Sequence, residues 1–137
     1  MKKAVIIKLS VAVFIMVLAG GCQSGSLCDE ELINTTMTDW KAALIARDLD
    51  KAVATYSENY TSTRGSGKDS VRERITRIFD QGYLDNVKVN LEDAETTIDE
   101  DKAEFGPVEF NSDRGMFTRE YTLQKEDGAW LIIGSKR

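Results

Sequence analysis

Few side chains of this chain could move a proton or act as a nucleophile near neutral pH. Its 137 residues include no histidine, which excludes Ser-His-Asp triads, Cys-His pairs and the usual histidine-containing zinc sites. Proton transfer would therefore depend on carboxylates, tyrosines or lysines. Four of its aspartates are candidates for a base, but none of them falls on an inward-facing apolar stripe: Asp39, Asp48, Asp85 and Asp93. We predict no catalytic group, no cofactor and no metal ligand from these residues.

The amino terminus has the order of a secretory signal. Three lysines in residues 1–8 precede an apolar run over residues 9–19, which ends in Gly20 and Gly21. This run of about 11 residues is shorter than the roughly 20 that a membrane-spanning helix needs. We therefore expect residues 1–21 to be a cleaved signal peptide.

The end of this segment, residues 18–22 (LAGGC), resembles the lipobox of bacterial lipoproteins. The resemblance implies cleavage before Cys22 and acylation of its sulfur and new amine, palmitate included, and several acyl chains hold a protein on a membrane. The alternative is ordinary signal cleavage, which leaves Cys22 to pair with Cys28. If Cys22 is lipidated, Cys28 is a free thiol or part of an intermolecular bridge, and we expect the thiol.

The residues after Cys22 refine the expected location. By resemblance to lipoproteins of Gram-negative bacteria, Gln23 favours sorting to the outer membrane, and we expect a lipid-anchored protein on its periplasmic face. In a Gram-positive host the motif would imply the outer face of the only membrane. Residues 22–29 form the lipidated cysteine and a tether, of which residues 23–27 span at most about 17 Å. The folded domain, residues 30–137, should therefore lie close to the lipid.

Charge excludes nucleic acid as a partner. The 18 basic and 23 acidic residues give a net charge of −5, and removal of residues 1–21, with three lysines and no acid, leaves −8. Nucleic-acid binding needs basic patches, and the sequence has none. The acidic run Glu92–Glu104 is typical of strand ends and a solvated turn. Residues 99–101 (DED) lack the glycine and the spacing of a calcium-binding loop.

Apolar spacing predicts three helices in the first half of the domain. Between Asp29 and Arg47, large apolar residues recur on one helical face: Ile33, Met37, Trp40 and Leu44. Asp48 is expected to cap a second helix with the stripe Leu49, Ala52, Val53, Tyr56 and Tyr60. After a short strand at 61–63, a capping box over 66–69 should begin a third helix that ends near Gly82. Its inward residues are Val71, Ile75, Ile78 and Phe79.

The second half alternates with period two, which predicts about four antiparallel strands. Inward-facing sets are Val87, Val89 and Leu91, then Ala103, Phe105, Val108 and Phe110, then Phe117, Arg119, Tyr121 and Leu123. The pair Gly106-Pro107 indicates a bulge or an edge position. Residues 125–128 (KEDG) predict a hairpin turn into a strand that begins at Ala129. Helices followed by antiparallel strands indicate an α+β domain.

This order of elements resembles the NTF2-like superfamily, also called SnoaL-like or cystatin-like cone folds. The resemblance spans residues 30–137 and is carried by Trp40, Asp48, residues 56–60 (YSENY), Gly67, Arg72 and residues 121–132 (YTLQKEDGAWLI). It implies a cone in which three N-terminal helices pack on a curved antiparallel sheet.

The resemblance also implies a pocket between the sheet and the helices, open at one end. Its candidate lining residues are Trp40, Tyr56, Tyr60, Phe79, Phe117, Arg119, Tyr121 and Trp130. Arg119 would need an acid or an anionic ligand if it is buried there, whereas at a sheet edge or on the outer face it would reach solvent. For the tyrosines and tryptophans the alternative is core packing.

Function does not follow from this fold, because the superfamily contains both enzymes and non-enzymes. Its dehydratases use a histidine, which is absent here. We expect a non-catalytic module that binds a small apolar or amphipathic ligand or a protein partner. One alternative is an isomerase or hydrolase of the SnoaL or ketosteroid-isomerase type, with Tyr56 or Tyr60 in hydrogen-bond reach of an aspartate. Another is a homodimer through the exposed face of the sheet.

Overall fold

A computed structural model describes residues 28–137, which form three helices followed by an antiparallel sheet. The elements are α1 (Asp29–Ala46), α2 (Leu49–Ala54), β1 (Thr61–Ser62), β2 (Gly65–Ser66), α3 (Gly67–Asp80), β3 (Lys88–Asn90), β4 (Glu95–Asp99), β5 (Lys102–Ser112), β6 (Gly115–Glu126) and β7 (Ala129–Lys136). The expected signal peptide, Cys22 and residues 23–27 lie outside the described residues. Within 28–137, no helix is long and apolar enough to cross a membrane.

The first two helices follow the apolar spacing of the sequence. The predicted stripe of α1 is confirmed, since Ile33, Met37, Trp40 and Leu44 are all buried. The helix ends where Arg47 adopts a left-handed conformation, and Asp48 then caps α2 by accepting a hydrogen bond from the Lys51 backbone N–H at 3.1 Å. The α2 helix ends at Ala54, earlier than its predicted stripe.

The residues after α2 turn toward the sheet. Tyr56 forms an isolated parallel bridge with Ile132, where the Ser57 N–H donates to the Ile132 carbonyl at 2.9 Å. Tyr60 follows in a loop and its carbonyl accepts from the Gly67 N–H at 2.8 Å. Both tyrosines are buried as predicted, but they are held by loop and sheet contacts and not by a longer helix.

The predicted capping box of α3 is wrong. Ser66 is the residue before the helix, yet its side chain forms no capping hydrogen bond. Its backbone is already paired with Thr61 in the β1–β2 ladder, and the first helical residue, Gly67, has a φ of +76°. Val71 and Ile75 are buried as expected, whereas Ile78 and Phe79 are half-buried. The helix ends before Gly82, which has a φ of +66°, as predicted.

The main sheet has the strand order β3-β5-β6-β7, and β4 also pairs with β5. The ladder of β5 with β6 shifts between Phe105 and Val108, which confirms the bulge at Gly106-Pro107. Because the shift restores the alternation, four residues of β5 are buried on one side, which we call the inner face: Ala103, Phe105, Val108 and Phe110. The hairpin turn at Asp127 and Gly128, both with positive φ, is also confirmed.

The helices cover the inner face, so the domain is α+β with helices packed on a curved antiparallel sheet, as predicted. The Asp29 carboxylate, at the start of α1, accepts from Lys125 Nζ at 2.8 Å and from Trp130 Nε1 at 3.0 Å. These hydrogen bonds lower the pKa of Asp29 and tie α1 to the β6–β7 hairpin. Cys28, next to it, is disulfide-bonded, so the expected free thiol is wrong.

Candidate functional site

Three tyrosines and two arginines come together where the loop after α2, α3 and the inner face of β6 meet. We call Tyr56, Tyr60, Tyr121, Arg74 and Arg119 the Tyr–Arg cluster. The rings of Tyr56 and Tyr60 meet edge to face at 5.3 Å. Tyr121 lies opposite Phe105 in the β5–β6 ladder, and its ring centre is 4.8 Å from that of Trp40. Arg119 lies two positions before Tyr121 on the same face of β6, and Arg74 of α3 donates to the hydroxyls of Tyr56 and Tyr60.

Arg74 of α3 is the centre of the polar contacts. Its guanidinium donates to the hydroxyl of Tyr60 and, at 3.5 Å, to that of Tyr56. It also lies over both rings, 5.0 Å from the centre of Tyr60 and 5.7 Å from that of Tyr56. The Tyr56 hydroxyl accepts a further hydrogen bond from Trp40 Nε1 at 3.1 Å. Among residues 28–137, Arg74 forms no salt bridge, so hydroxyl groups and aromatic faces alone stabilise its charge.

Arg74 is not among the residues predicted for the site, although its spacing in the sequence indicates an inward-facing position. Arg74 follows Val71 by three positions and precedes Ile78 by four, which is the spacing of one helical face. The side chain is half-buried in the structure. A charged residue at such a position marks a site where the helix faces a polar or aromatic surface.

Arg119 lies on the inner face, as the alternation of β6 predicted. It pairs with Val108, whose side chain is fully buried, and it is itself half-buried. The last residue pair between β6 and β7 is Glu120 with Lys136, so Arg119 stands one residue beyond that ladder. This position explains how an inner-face arginine still reaches solvent. In the described part of the chain it has no ion-pair partner.

An apolar rim borders the cluster. We give this name to Phe110 and Phe117, whose rings stack at 4.8 Å with an angle of 6°. Phe110 is buried and contacts Trp40 edge to face at 6.0 Å, whereas Phe117 is 41% exposed. The guanidinium groups of Arg119 and Arg137 lie 5.7 and 6.0 Å from the Phe117 ring. An exposed aromatic ring therefore lies within about 6 Å of two cations.

The other candidate lining residues are placed deeper or elsewhere. Tyr56, Tyr60, Tyr121 and Trp40 are almost fully buried and belong to the core. Trp130 is also buried, but its Nε1 bonds to Asp29 and not to the cluster. Phe79 is half-buried and packs against the core from α3. Of the eight candidates, Phe117 and Arg119 are the ones that solvent reaches most readily at the inner face.

No carboxylate of the described chain contacts the cluster tyrosines. Asp39 and Asp93 are exposed, Asp48 caps α2, and Asp85 pairs with Arg47. The hydroxyls of Tyr56 and Tyr60 bond to Trp40 and Arg74 instead. Within residues 28–137, no group of three or more acidic, cysteine or histidine side chains could hold a metal ion.

The hydroxyls of Tyr56 and Tyr121 are neutral at neutral pH. Burial raises the pKa of Tyr56, against the opposing effects of Arg74 and the Trp40 hydrogen bond. Burial also raises the pKa of Tyr121 well above its usual range. A neutral hydroxyl can donate a hydrogen bond. Tyr121 forms no hydrogen bond through its hydroxyl to any described residue, so this donor is available to a ligand.

Two open surface grooves lie outside the cluster. One follows the exposed side of α3 and is lined by Arg72, Glu73, Thr76, Arg77, Asp80 and Gln81. The other lies between the end of α1 and residues 84–87. Both are shallow, and neither is lined by the Tyr–Arg cluster or the apolar rim.

No protein-family model and no curated protein matches the sequence. Solved structures do match the fold. A cystatin-like protein of unknown function from Nostoc punctiforme is 16% identical with a TM-score of 0.63, over 80% of this chain and 90% of that one. An NTF2-like protein of unknown function from Shewanella oneidensis is 15% identical with a TM-score of 0.61, over 79% and 97%. The chain has the NTF2-like fold.

The proteins that share this fold include an enzyme candidate as well as proteins of unknown function. A candidate dehydratase of the NTF2-like family from Streptomyces avermitilis is 12% identical with a TM-score of 0.59, over 78% of this chain and 93% of that one. The TM-scores establish the architecture, whereas sequence identities this low transfer no activity. The function must therefore be argued from the side chains of the NTF2-like domain itself.

Proposed function

We propose that this protein is a non-catalytic binding module of the cell envelope, anchored through a lipid on Cys22. Its NTF2-like domain binds a small amphipathic ligand where the apolar rim meets the Tyr–Arg cluster. One observation carries the binding proposal: Phe117 is 41% exposed on the inner face and stands directly beside the half-buried Arg119. Exposed aromatic surface next to polar donors is the usual composition of a small-molecule site.

Binding is favoured over the isomerase or hydrolase alternative. That alternative needs an aspartate in hydrogen-bond reach of Tyr56 or Tyr60, and no described aspartate contacts either hydroxyl. A protein partner and a homodimer through the sheet stay predictions.

Equilibrium dialysis of eight-carbon amphiphiles tests the binding proposal. The full exported protein is placed in lipid nanodiscs, and empty nanodiscs correct for partition of the probe into lipid. We expect saturable binding that weakens when Phe117 is replaced by serine. The matched control is Met116→Ser, which removes a neighbouring exposed side chain that points to the other side of the strand. Equal loss in both variants, or no saturable binding, would contradict the proposal.

The anchor is supported by residues 18–22 and tested separately. We expect Cys22→Ala to release the protein from membranes, because the acylated sulfur is lost. Cys28→Ser is the matched control and should stay in the membrane fraction. Membrane association that persists after Cys22→Ala would overturn the anchor.

The mass of the amino-terminal peptide decides between the two alternatives for Cys22. Acylation and a disulfide to Cys28 both use the Cys22 sulfur, so they exclude each other. We expect a peptide that begins at Cys22 and carries acyl chains. A peptide in which Cys22 carries no acyl chain and is disulfide-linked to Cys28 would contradict the anchor and indicate an exported protein without a lipid.

A further inference from the structure

Two guanidinium groups stand at the inner face without an acidic partner. Arg74 has hydroxyls and aromatic faces around it, and Arg119 has only the Phe117 ring, among residues 28–137. Each guanidinium carries five N–H donors. A partly buried cation without a counter-charge is unfavourable, because it loses hydration that no carboxylate replaces. The surplus of positive charge is local, since the mature chain as a whole is acidic.

The neighbouring hydroxyl adds a donor of the same kind. Tyr121 follows Arg119 by two positions on β6, so the two side chains lie on one face about 7 Å apart along the strand. The Tyr121 hydroxyl is without a hydrogen-bond partner in the described chain. Arg119 and Tyr121 therefore present donors with no acceptor between them.

We propose that the Tyr–Arg cluster binds the anionic head group, a carboxylate or a phosphate ester, of the amphipathic ligand. This inference rests on the proposed function and specifies its ligand class. Arg119 donates to the anionic oxygens in a bidentate manner, and Tyr121 donates from the deeper side. Arg74 adds a second positive charge and positions Tyr56 and Tyr60. The apolar part of the ligand then lies against Phe117.

Dialysis with three probes of equal chain length tests the head group. Octanoate and octyl phosphate carry the two anionic groups, and octanamide is the neutral probe. We expect at least one of the two anions to bind at least tenfold more tightly than octanamide, since a hydrogen bond to a charged group contributes about 1.5–3 kcal/mol. The comparison of the two anions identifies the head group.

Variants of Arg119 and Arg74 assign the charge to the cluster. Arg119→Gln should weaken anion binding about tenfold or more and weaken octanamide binding much less, because a neutral amide loses only a neutral hydrogen bond. Arg77→Gln is the charge-matched control, because Arg77 is exposed on α3 outside the cluster and should have no effect. Arg74→Lys keeps the charge but changes the hydrogen bonds to two tyrosines, and circular dichroism verifies its fold.

The outcomes separate this inference from the proposed function. Equal affinity for octanoate, octyl phosphate and octanamide, unchanged in Arg119→Gln, overturns the anionic head group and leaves the amphipathic ligand standing. An equal loss in Arg119→Gln and Arg77→Gln overturns it as well, because the effect would then be one of overall charge. Absence of saturable binding for every probe overturns both proposals.

Discussion

Tyr56 and Tyr121 are buried tyrosines that stay protonated because their surroundings disfavour the phenolate. Burial raises the pKa of both hydroxyls, and for Tyr121 the rise is large. The positive charge of Arg74 and Arg119 opposes this rise but does not cancel it. At neutral pH the cluster therefore holds two guanidinium cations and the neutral hydroxyl donors of Tyr56 and Tyr121, which suits an anion and does not suit general base catalysis.

These raised pKa values predict a loss of stability at alkaline pH. In the unfolded chain the two tyrosines ionise near pH 10, whereas the folded state holds their protons to higher pH. The free energy of unfolding is therefore unaffected below pH 10 and falls as the pH rises above it. Urea titrations at pH 8, 10 and 11 measure this fall, and absorbance at 295 nm follows ionisation.

The Tyr121→Phe variant is the specific check on that prediction. A buried tyrosine ionises only when the protein unfolds, so part of the rise in absorbance at 295 nm should coincide with the loss of the circular dichroism signal. Tyr121→Phe should make that part smaller. Ionisation of all four tyrosines at constant circular dichroism would show that the hydroxyls are not protected by burial.

The β5 bulge is the element that places the inner-face residues in register. At Gly106 an added Cβ would lie 3.0 Å from the Glu120 Cα and 3.1 Å from the Arg119 carbonyl oxygen. Both contacts are with backbone atoms, so β6 would have to move. We expect Gly106→Ala to lower the free energy of unfolding by about 1–3 kcal/mol, as overpacking does elsewhere.

Gly134→Ala is the control for this element, because nothing lies within 4 Å of its added Cβ. Chemical denaturation of both variants gives the comparison. Equal stability of Gly106→Ala and the wild type would mean that the close approach of β5 and β6 at the bulge does not constrain the sheet.

The helices and strands whose position depends on local residue spacing were predictable from the sequence. The stripe of α1, the Asp48 cap and the alternation of β5 through the Gly106-Pro107 bulge are all readable from residue spacing. The capping box was not, because the β1–β2 ladder already holds the Ser66 backbone. Strand pairing within this short hairpin competes with the capping signal, and spacing alone does not show which one prevails.

The candidate site was predictable only in part, for a related reason. Phe117, Arg119 and Tyr121 share a face of one strand, so alternation identifies them together. Arg74 meets Tyr56 and Tyr60 across 18 and 14 positions of the chain, and that contact depends on how α3 packs against the loop after α2. Residue periodicity assigns a face to a side chain but does not identify what the face contacts.

At the scale of the whole molecule, the two indole N–H groups report on two different sites of the domain. Trp40 Nε1 bonds to the Tyr56 hydroxyl inside the site, and Trp130 Nε1 bonds to Asp29 at the start of α1. The chain contains no other tryptophan. One labelled protein therefore carries both a reporter of the site and an internal reference for the rest of the domain.

The central claim is that an anionic amphiphile binds at the Tyr–Arg cluster, and a 1H–15N spectrum of the two indole N–H groups tests it most directly. Octanoate is added to the full chain in nanodiscs, with octanamide as the neutral comparison. We predict a saturable shift of the Trp40 resonance, abolished in Arg119→Gln, while the Trp130 resonance stays in place. A shift of Trp130 without Trp40, or no shift of either resonance at saturating octanoate, would contradict the claim.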